Sequence, residues 1–199
     1  MENTYNGGLT REQFLFYEIR IVAKLLCDGM SREEILDAVQ RDNLFQFPTE
    51  KMISNIAKTC FKRIDALNSP ALVACLAESP AEDAKQVNLY AMMKYNRLVW
   101  DFMVVVIGEK YRTQDFELTS RDVNTFMEGL KEQNDLIASW SEATIQRIKQ
   151  VLVKTLVECG YLESNRSERL NNIAIVPELE EAIKESGDIP ALPAFNCFN

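Results

Sequence analysis

The chain has 199 residues, 47% of them hydrophobic and 26% charged, with a formal net charge of −8. This is ordinary globular usage for one large domain or two small ones. It excludes a globally basic nucleic-acid coat protein but leaves room for a local basic face. With 7 glycines and 6 prolines to punctuate it, the sequence favours long helices over many short strands.

The absence of histidine removes Ser-His-Asp and Cys-His catalysis, His-containing zinc sites and the usual near-neutral acid–base group. The five cysteines, Cys27, Cys60, Cys75, Cys159 and Cys197, include no close metal pair. Their odd number and the lack of a signal peptide point to a reducing cytoplasm. Neither GxxxxGKS/T nor GxGxxG is present, so a phosphate-cradling loop is not expected. The expectation is a non-enzymatic protein with no metal, no cofactor and no small-molecule substrate. The most apolar stretch, 98–107, is interrupted by Asp101 and is far short of the roughly 20 residues that cross a bilayer. It reads as a buried core helix in a cytoplasmic protein without membrane contact.

Along the chain, the Gly7-Gly8 turn precedes a capping-box pattern at Thr10 and Gln13. Phe14, Ile19, Val22 and Leu26 then form an apolar stripe as far as Cys27, with Gly29 as a stop. Ser31 with Glu34 opens a second helix to about Arg41, with Ile35, Leu36 and Val39 inward. The linker 43–48 carries Leu44, Phe45 and Phe47 and is expected to pack down. Thr49 opens a third helix with Met52, Ile53, Ile56, Cys60, Ile64 and Leu67 on one face. Asn68-Ser69-Pro70 breaks it, and a short helix covers 71–77. Ser79 with Glu82, and Pro80 at the first helical position, opens the longest element, to about Tyr111. That element is apolar on most of its surface and therefore central. A boundary near Ser79 gives a helical domain over 1–78 and a second over 79–199; the loop 112–118 is the alternative boundary.

Thr119 or Ser120 caps the next helix, with Val123, Phe126, Met127 and Leu130 inward. Ser139 with Glu142 caps another that runs to Cys159 and stops at Gly160, with Ile145, Ile148, Leu152 and Leu156 inward. Residues 161–163 and 172–176 read as short strands joined by a polar turn. A short helix around 179–183 follows, and the tail 187–199 is expected to drape on the surface or be disordered. The fold class is mainly α, a helical bundle with a small winged-helix-like β-hairpin near the C-terminus; the winged-helix-like region spans about 119–185.

In a winged helix the later helix is offered to the major groove. On the helix from Ser139 to Cys159, a rotation of about 100° per residue puts Gln146, Arg147, Gln150 and Lys154 opposite the apolar stripe. Gln and Arg make bidentate contacts with base edges and Lys serves phosphates. The hairpin loop adds Arg166 and Arg169. An ordinary solvated face, diluted by Glu158, Glu163 and Glu168, is the competing reading. A second candidate face lies on the third helix, where Lys51, Asn55, Lys58, Lys62 and Arg63 gather on the outer side. With the second helix it resembles a loose helix-turn-helix whose connection exceeds the usual 3–4 residues. Double-stranded DNA is the expected partner.

Three segments carry a family resemblance: Tyr5-Asn6-Gly7-Gly8-Leu9-Thr10 with Phe14-Leu15-Phe16-Tyr17-Glu18, the run from Asn88 through Tyr95-Asn96-Arg97 to Phe102, and Ala138-Ser139-Trp140-Ser141. Over nearly its whole length the chain resembles the BrxA family, also described as a domain of unknown function. The resemblance implies a cytoplasmic protein encoded with a BREX bacteriophage-resistance cluster, beside a methyltransferase, an ATPase and a phosphatase-like protein. It implies similarity in fold to the all-helical RNA-binding protein NusB, and DNA binding. It supplies no catalytic residues. The family's "putative inner-membrane" description does not suit a chain whose apolar run is this short. A protein–protein adaptor within the BREX complex and an RNA-binding NusB-like module are the alternatives to a DNA-binding accessory component.

Overall fold

Local capping chemistry explains most helix boundaries in the computed structural model, which describes residues 5–198. A 3-10 turn, Gly7–Thr10, leads to α1 (Phe16–Cys27), α2 (Arg32–Arg41), α3 (Glu50–Leu67), α4 (Pro70–Glu78) and α5 (Ala81–Tyr95). The Ser31–Glu34 capping box opens α2, Thr49 accepts from the Met52 amide to open α3, and Ser69 accepts from Leu72 with Pro70 at the first position of α4. Gly29 and Asn68 leave the first and third helices in the left-handed region, as terminators that must turn the chain do.

Two other starts differ from expectation. Thr10 donates to the Gly7 carbonyl inside the 3-10 turn, and α1 begins five residues later on Leu15, at φ 52° and without a side-chain cap. Ser79 ends α4 rather than opening α5; its carbonyl accepts from Arg20 Nη2 at 2.7 Å.

The long apolar element is not one helix. Asn96, buried and extended, receives the Leu98 and Val99 amides on its side-chain oxygen, so it stops α5 and restarts the chain as α6 (Arg97–Asp101). An Asn within an apolar stripe can cap as well as pack. The chain then passes through a π-helical turn, Phe102–Ile107, into α7 (Gly108–Arg112). Next come α8 (Ser120–Gln133), α9 (Asp135–Ala138), α10 (Glu142–Glu158), α11 (Pro177–Glu185) and a 3-10 segment, Ile189–Phe195. The Thr119–Asp122 capping box opens α8. Ser141, not Ser139, caps α10.

The expected β-hairpin is absent among the described residues, where the only pairing is an isolated bridge between Glu117 and Arg169. Physical reasons are visible in both segments. The Tyr161 amide turns back to the Leu156 carbonyl at 2.8 Å, and Tyr161 and Leu162 are both buried, against the alternation a half-buried strand needs. The stretch 172–176 gives its backbone to a side chain: Gln86 Nε2 donates to the Ala174 carbonyl at 2.9 Å, and the Val176 amide donates to Gln86 Oε1 at 3.1 Å. The loop between is tied to residues 116–118, with the Leu170 amide donating to the Phe116 carbonyl at 2.8 Å. The chain is mainly helical, without the wing.

In the bundle, α1 packs on α3 and α4, α5 lies against α1, α3 and α4, and α10 rests on the N-terminal 3-10 turn and on α8. The tail is neither draped nor disordered over its described part. Ala191, Leu192, Ala194 and Phe195 are buried, and Tyr161 Oη donates to the Ala194 carbonyl at 3.0 Å. The tail crosses α7 so closely that a Cβ on Gly108 would sit 3.2 Å from the Ala194 nitrogen and from Pro193 Cβ.

One buried charge organises the N-terminal side. Arg63 is 1% exposed. Its Nη1 donates to the Phe14 carbonyl at 2.9 Å, and its Nη2 donates to the Glu12 and Gln13 carbonyls at 2.6 and 2.7 Å. Asn88 Nδ2 donates to the same Phe14 carbonyl at 2.8 Å. Arg63→Met keeps the apolar stem but orphans the Glu12 and Gln13 carbonyls. At about 1–3 kcal/mol per orphaned group, and with a few degrees of melting temperature per kcal/mol at this size, the variant should melt about 5–15 °C lower by circular dichroism. An unchanged melting temperature would show that these bonds are dispensable.

Candidate nucleic-acid interface

The face of α10 away from the core lines a cationic groove. Ile145, Ile148, Val151, Leu152, Thr155 and Leu156 turn inward, and the helical period leaves Gln146, Arg147, Gln150 and Lys154 exposed. These four line one groove of about 550 Å³. Ser120, Val123 and Asn124, from the first turn of α8, form the opposite wall, with Asn165 at one end and Gln13 at the other. Lys149 lines it too, so Arg147, Lys149 and Lys154 converge there, and no carboxylate is among the lining residues.

The groove's polar contacts are few. Arg147 Nη1 donates to Gln150 Oε1 at 3.4 Å. Lys154 Nζ donates to Gln13 Oε1 at 3.2 Å and pairs with Glu158 at 3.5 Å. Gln13 is in place because Arg63 holds its backbone carbonyl. A buried arginine on α3 thereby fixes one end of a groove on α10.

The other expected residues distribute differently. Arg166 lines an adjoining depression that shares Ser120, Val123, Val153 and Asn165 with the groove, with Glu168 beside it in the same lining. Arg169 belongs to neither depression; its backbone is bridged to Glu117. On α3, Lys51, Asn55, Lys58 and Lys62 are exposed on one side, and Lys62 Nζ sits 6.0 Å from the centre of the Tyr95 ring. Arg63 is not part of that face. One residue on from Lys62 rotates it by about 100°, into the core, and burial works against its charge. Lys149, Gln13, Ser120, Asn124 and Asn165 were not legible as site residues. Lys149 lies at the edge of the apolar stripe, and the others come from segments distant in sequence.

With the geometry in view, comparison with known proteins is informative. The BrxA family model matches residues 3–187. The chain belongs to the BrxA family. A BREX protein BrxA from Bacillus cereus (strain H3081.97) is 32% identical, over 94% of each chain. A BREX protein BrxA from Escherichia coli O9:H4 (strain HS) is 23% identical, over 94% of this chain and 87% of its own. In fold, the chain is similar to a crystal structure of an uncharacterized protein from Magnetospirillum magneticum. The TM-score is 0.79 at 21% identity, over 96% of this chain and 97% of that one. No helix among the described residues of this BrxA-family chain is long and apolar enough to cross a membrane.

Glu158 is the carboxylate that tempers the groove, through its pairing with Lys154. Glu158→Gln should release Lys154 and make the protein elute from a heparin column at higher salt. Elution at the same salt would show that the pair does not restrain this face.

Proposed function

We propose that this chain is a non-catalytic, double-stranded-DNA-binding component of a BREX bacteriophage-resistance system, acting through the α10 groove. The system follows the printed names of its BREX relatives. The DNA reading rests on one observation: a protein of net charge −8 gathers Arg147, Lys149 and Lys154 in a groove with no carboxylate in its lining. Uniform solubility charge would not segregate in this way. Phosphates reward convergent cations and convey little sequence information, whereas Gln146 and Gln150 can reach base edges. Without a hairpin wing, one helix and its flanks make the contact, so affinity should be modest and sequence preference small.

Each phosphate neutralised contributes about 0.9 to the slope of log affinity against log salt. Three groove cations with Arg166 beside them give a slope of roughly −3 to −4 in fluorescence anisotropy with a labelled duplex. Binding should fade near physiological salt, helped by repulsion from the acidic body. Arg147→Glu with Lys154→Glu should abolish binding and leave helicity and melting unchanged, both side chains being exposed. Lys58→Glu with Lys62→Glu should leave binding intact. Undiminished binding by the α10 variant, or loss on the α3 variant, would move the site to α3.

A docking face for another BREX protein is the second reading, favoured by Val105. That residue is 60% exposed in the π-helical turn and borders a separate groove with Val106 and Phe126. Absence of duplex binding at low salt would bring this reading forward.

A further inference from the structure

Past Gln13 and Lys154, which belong to both, the α10 groove opens into a second cleft of about 590 Å³. Its walls are of another kind. Tyr17 is 64% exposed and Met52 is 43% exposed, and Phe16 and Phe47 are half-buried beside them. Such a volume lies inside the roughly 300–1,000 Å³ typical of small-ligand sites. Tyr17 and Met52 together form an exposed apolar edge next to the charged groove.

The backbone here is strained, and the strain shapes the cleft. Leu15 stands at φ 52°, a region that L-residues with bulky side chains avoid. It is held there from both sides. Arg63 fixes the carbonyls of residues 12–14, and the Leu15 carbonyl accepts the first α1 bond from Ile19 at 3.0 Å. The turn sends Phe14 into the core and leaves Tyr17 exposed. Phe16 already carries two cations, with Arg20 5.8 Å and Lys85 5.7 Å from its ring centre. Tyr17 makes no ring contact among the described residues and is largely exposed, whereas Phe47 is half-buried against the core.

Charge completes the picture. Arg11, Lys85 and Lys154 stand around the cleft, and Glu18 and Glu158 oppose them. Lys154 pairs with Glu158, whereas Arg11 makes no ion pair among the described residues. Burial, and then the field of Glu158, raises the pKa of Glu18. Aromatic faces beside cations are how proteins hold single-stranded nucleic acid: bases stack and phosphates find positive charge, with little regard to sequence.

We propose that this cleft takes unpaired nucleotides adjoining the duplex on α10, with a base stacked on Tyr17 and phosphates facing Arg11 and Lys85. This rests on the duplex reading above. It makes the preferred ligand a duplex with a frayed or single-stranded end. One stacked base is worth on the order of tenfold in affinity.

The test compares a short blunt duplex with the same duplex carrying a single-stranded overhang at its 3′ or 5′ end, with 2-aminopurine as the first unpaired base. Wild-type protein should bind one overhang ligand about tenfold more tightly than the blunt one, with 2-aminopurine fluorescence quenched by stacking. Tyr17→Ala should lose that preference and the quenching while binding the blunt duplex as before. Tyr17→Trp should keep both. Since Tyr17 is largely exposed, both variants should melt with the wild type. Equal affinity for blunt and overhang ligands, or a preference that survives Tyr17→Ala, would overturn the cleft and leave the duplex reading standing. Failure to bind any duplex at low salt would overturn both.

Discussion

A guanidinium buried without a carboxylate partner is the constraint on which the N-terminal half of this structure depends. Taking a charge out of water is costly unless its donors are satisfied, and Arg63 forms no ion pair among the described residues. Its compensation comes from three successive carbonyls, of Glu12, Gln13 and Phe14. Those carbonyls can converge on one side chain only if the chain bends there, and the bend is absorbed by Leu15 in the left-handed region. Asn88 joins by donating to the Phe14 carbonyl, which ties the bend to α5. Satisfaction is incomplete, since Arg63 Nε and Asn88 Oδ1 lack partners among the described residues. The arrangement therefore trades some stability for a fixed conformation of a non-helical segment. That segment matters beyond its own packing: Gln13 closes one end of the α10 groove, and Phe16 and Tyr17 begin the aromatic cleft.

The sequence was readable wherever structure is decided within a few residues. Ser31 with Glu34, Thr49, Thr119, Asn68-Ser69-Pro70 and Gly29 each act through neighbours along the chain, and each marks a boundary where the pattern said it would. It was misleading where two local answers compete. Thr10, Ser79 and Ser139 all satisfy a capping pattern, yet other residues open the helices that follow. It was silent where partners are distant. The stretch 172–176 has the composition of a strand, but Gln86, some ninety residues earlier, takes its hydrogen bonds. The tail has little periodicity of its own, and its burial depends on the gap that Gly108 leaves for it.

The same division runs through the candidate site. The α10 face was legible because it is a matter of helical rotation, which brings Gln146, Arg147, Gln150 and Lys154 into one groove. The loop arginines were tied to a hairpin that does not form. Arg166 nevertheless reaches the adjoining depression, and Arg169 is drawn away to the Glu117 bridge. On α3, Arg63 does not share the face of Lys62, because neighbours on a helix face different ways; it is buried and bonded to the Glu12, Gln13 and Phe14 carbonyls. The α10 groove is thus a short cationic track set on a body of net charge −8.

The account's central claim, that α10 meets the duplex, is tested most directly by photo-crosslinking. A duplex substituted with bromodeoxyuridine would be irradiated with the wild-type protein at low salt, and the crosslinked peptides mapped by mass spectrometry. The account predicts crosslinks concentrated in residues 142–158 and in the adjoining segment around Gln13. Crosslinks confined to the Lys51–Lys62 side of α3, or to the exposed Val105 of the π-helical turn, would contradict it.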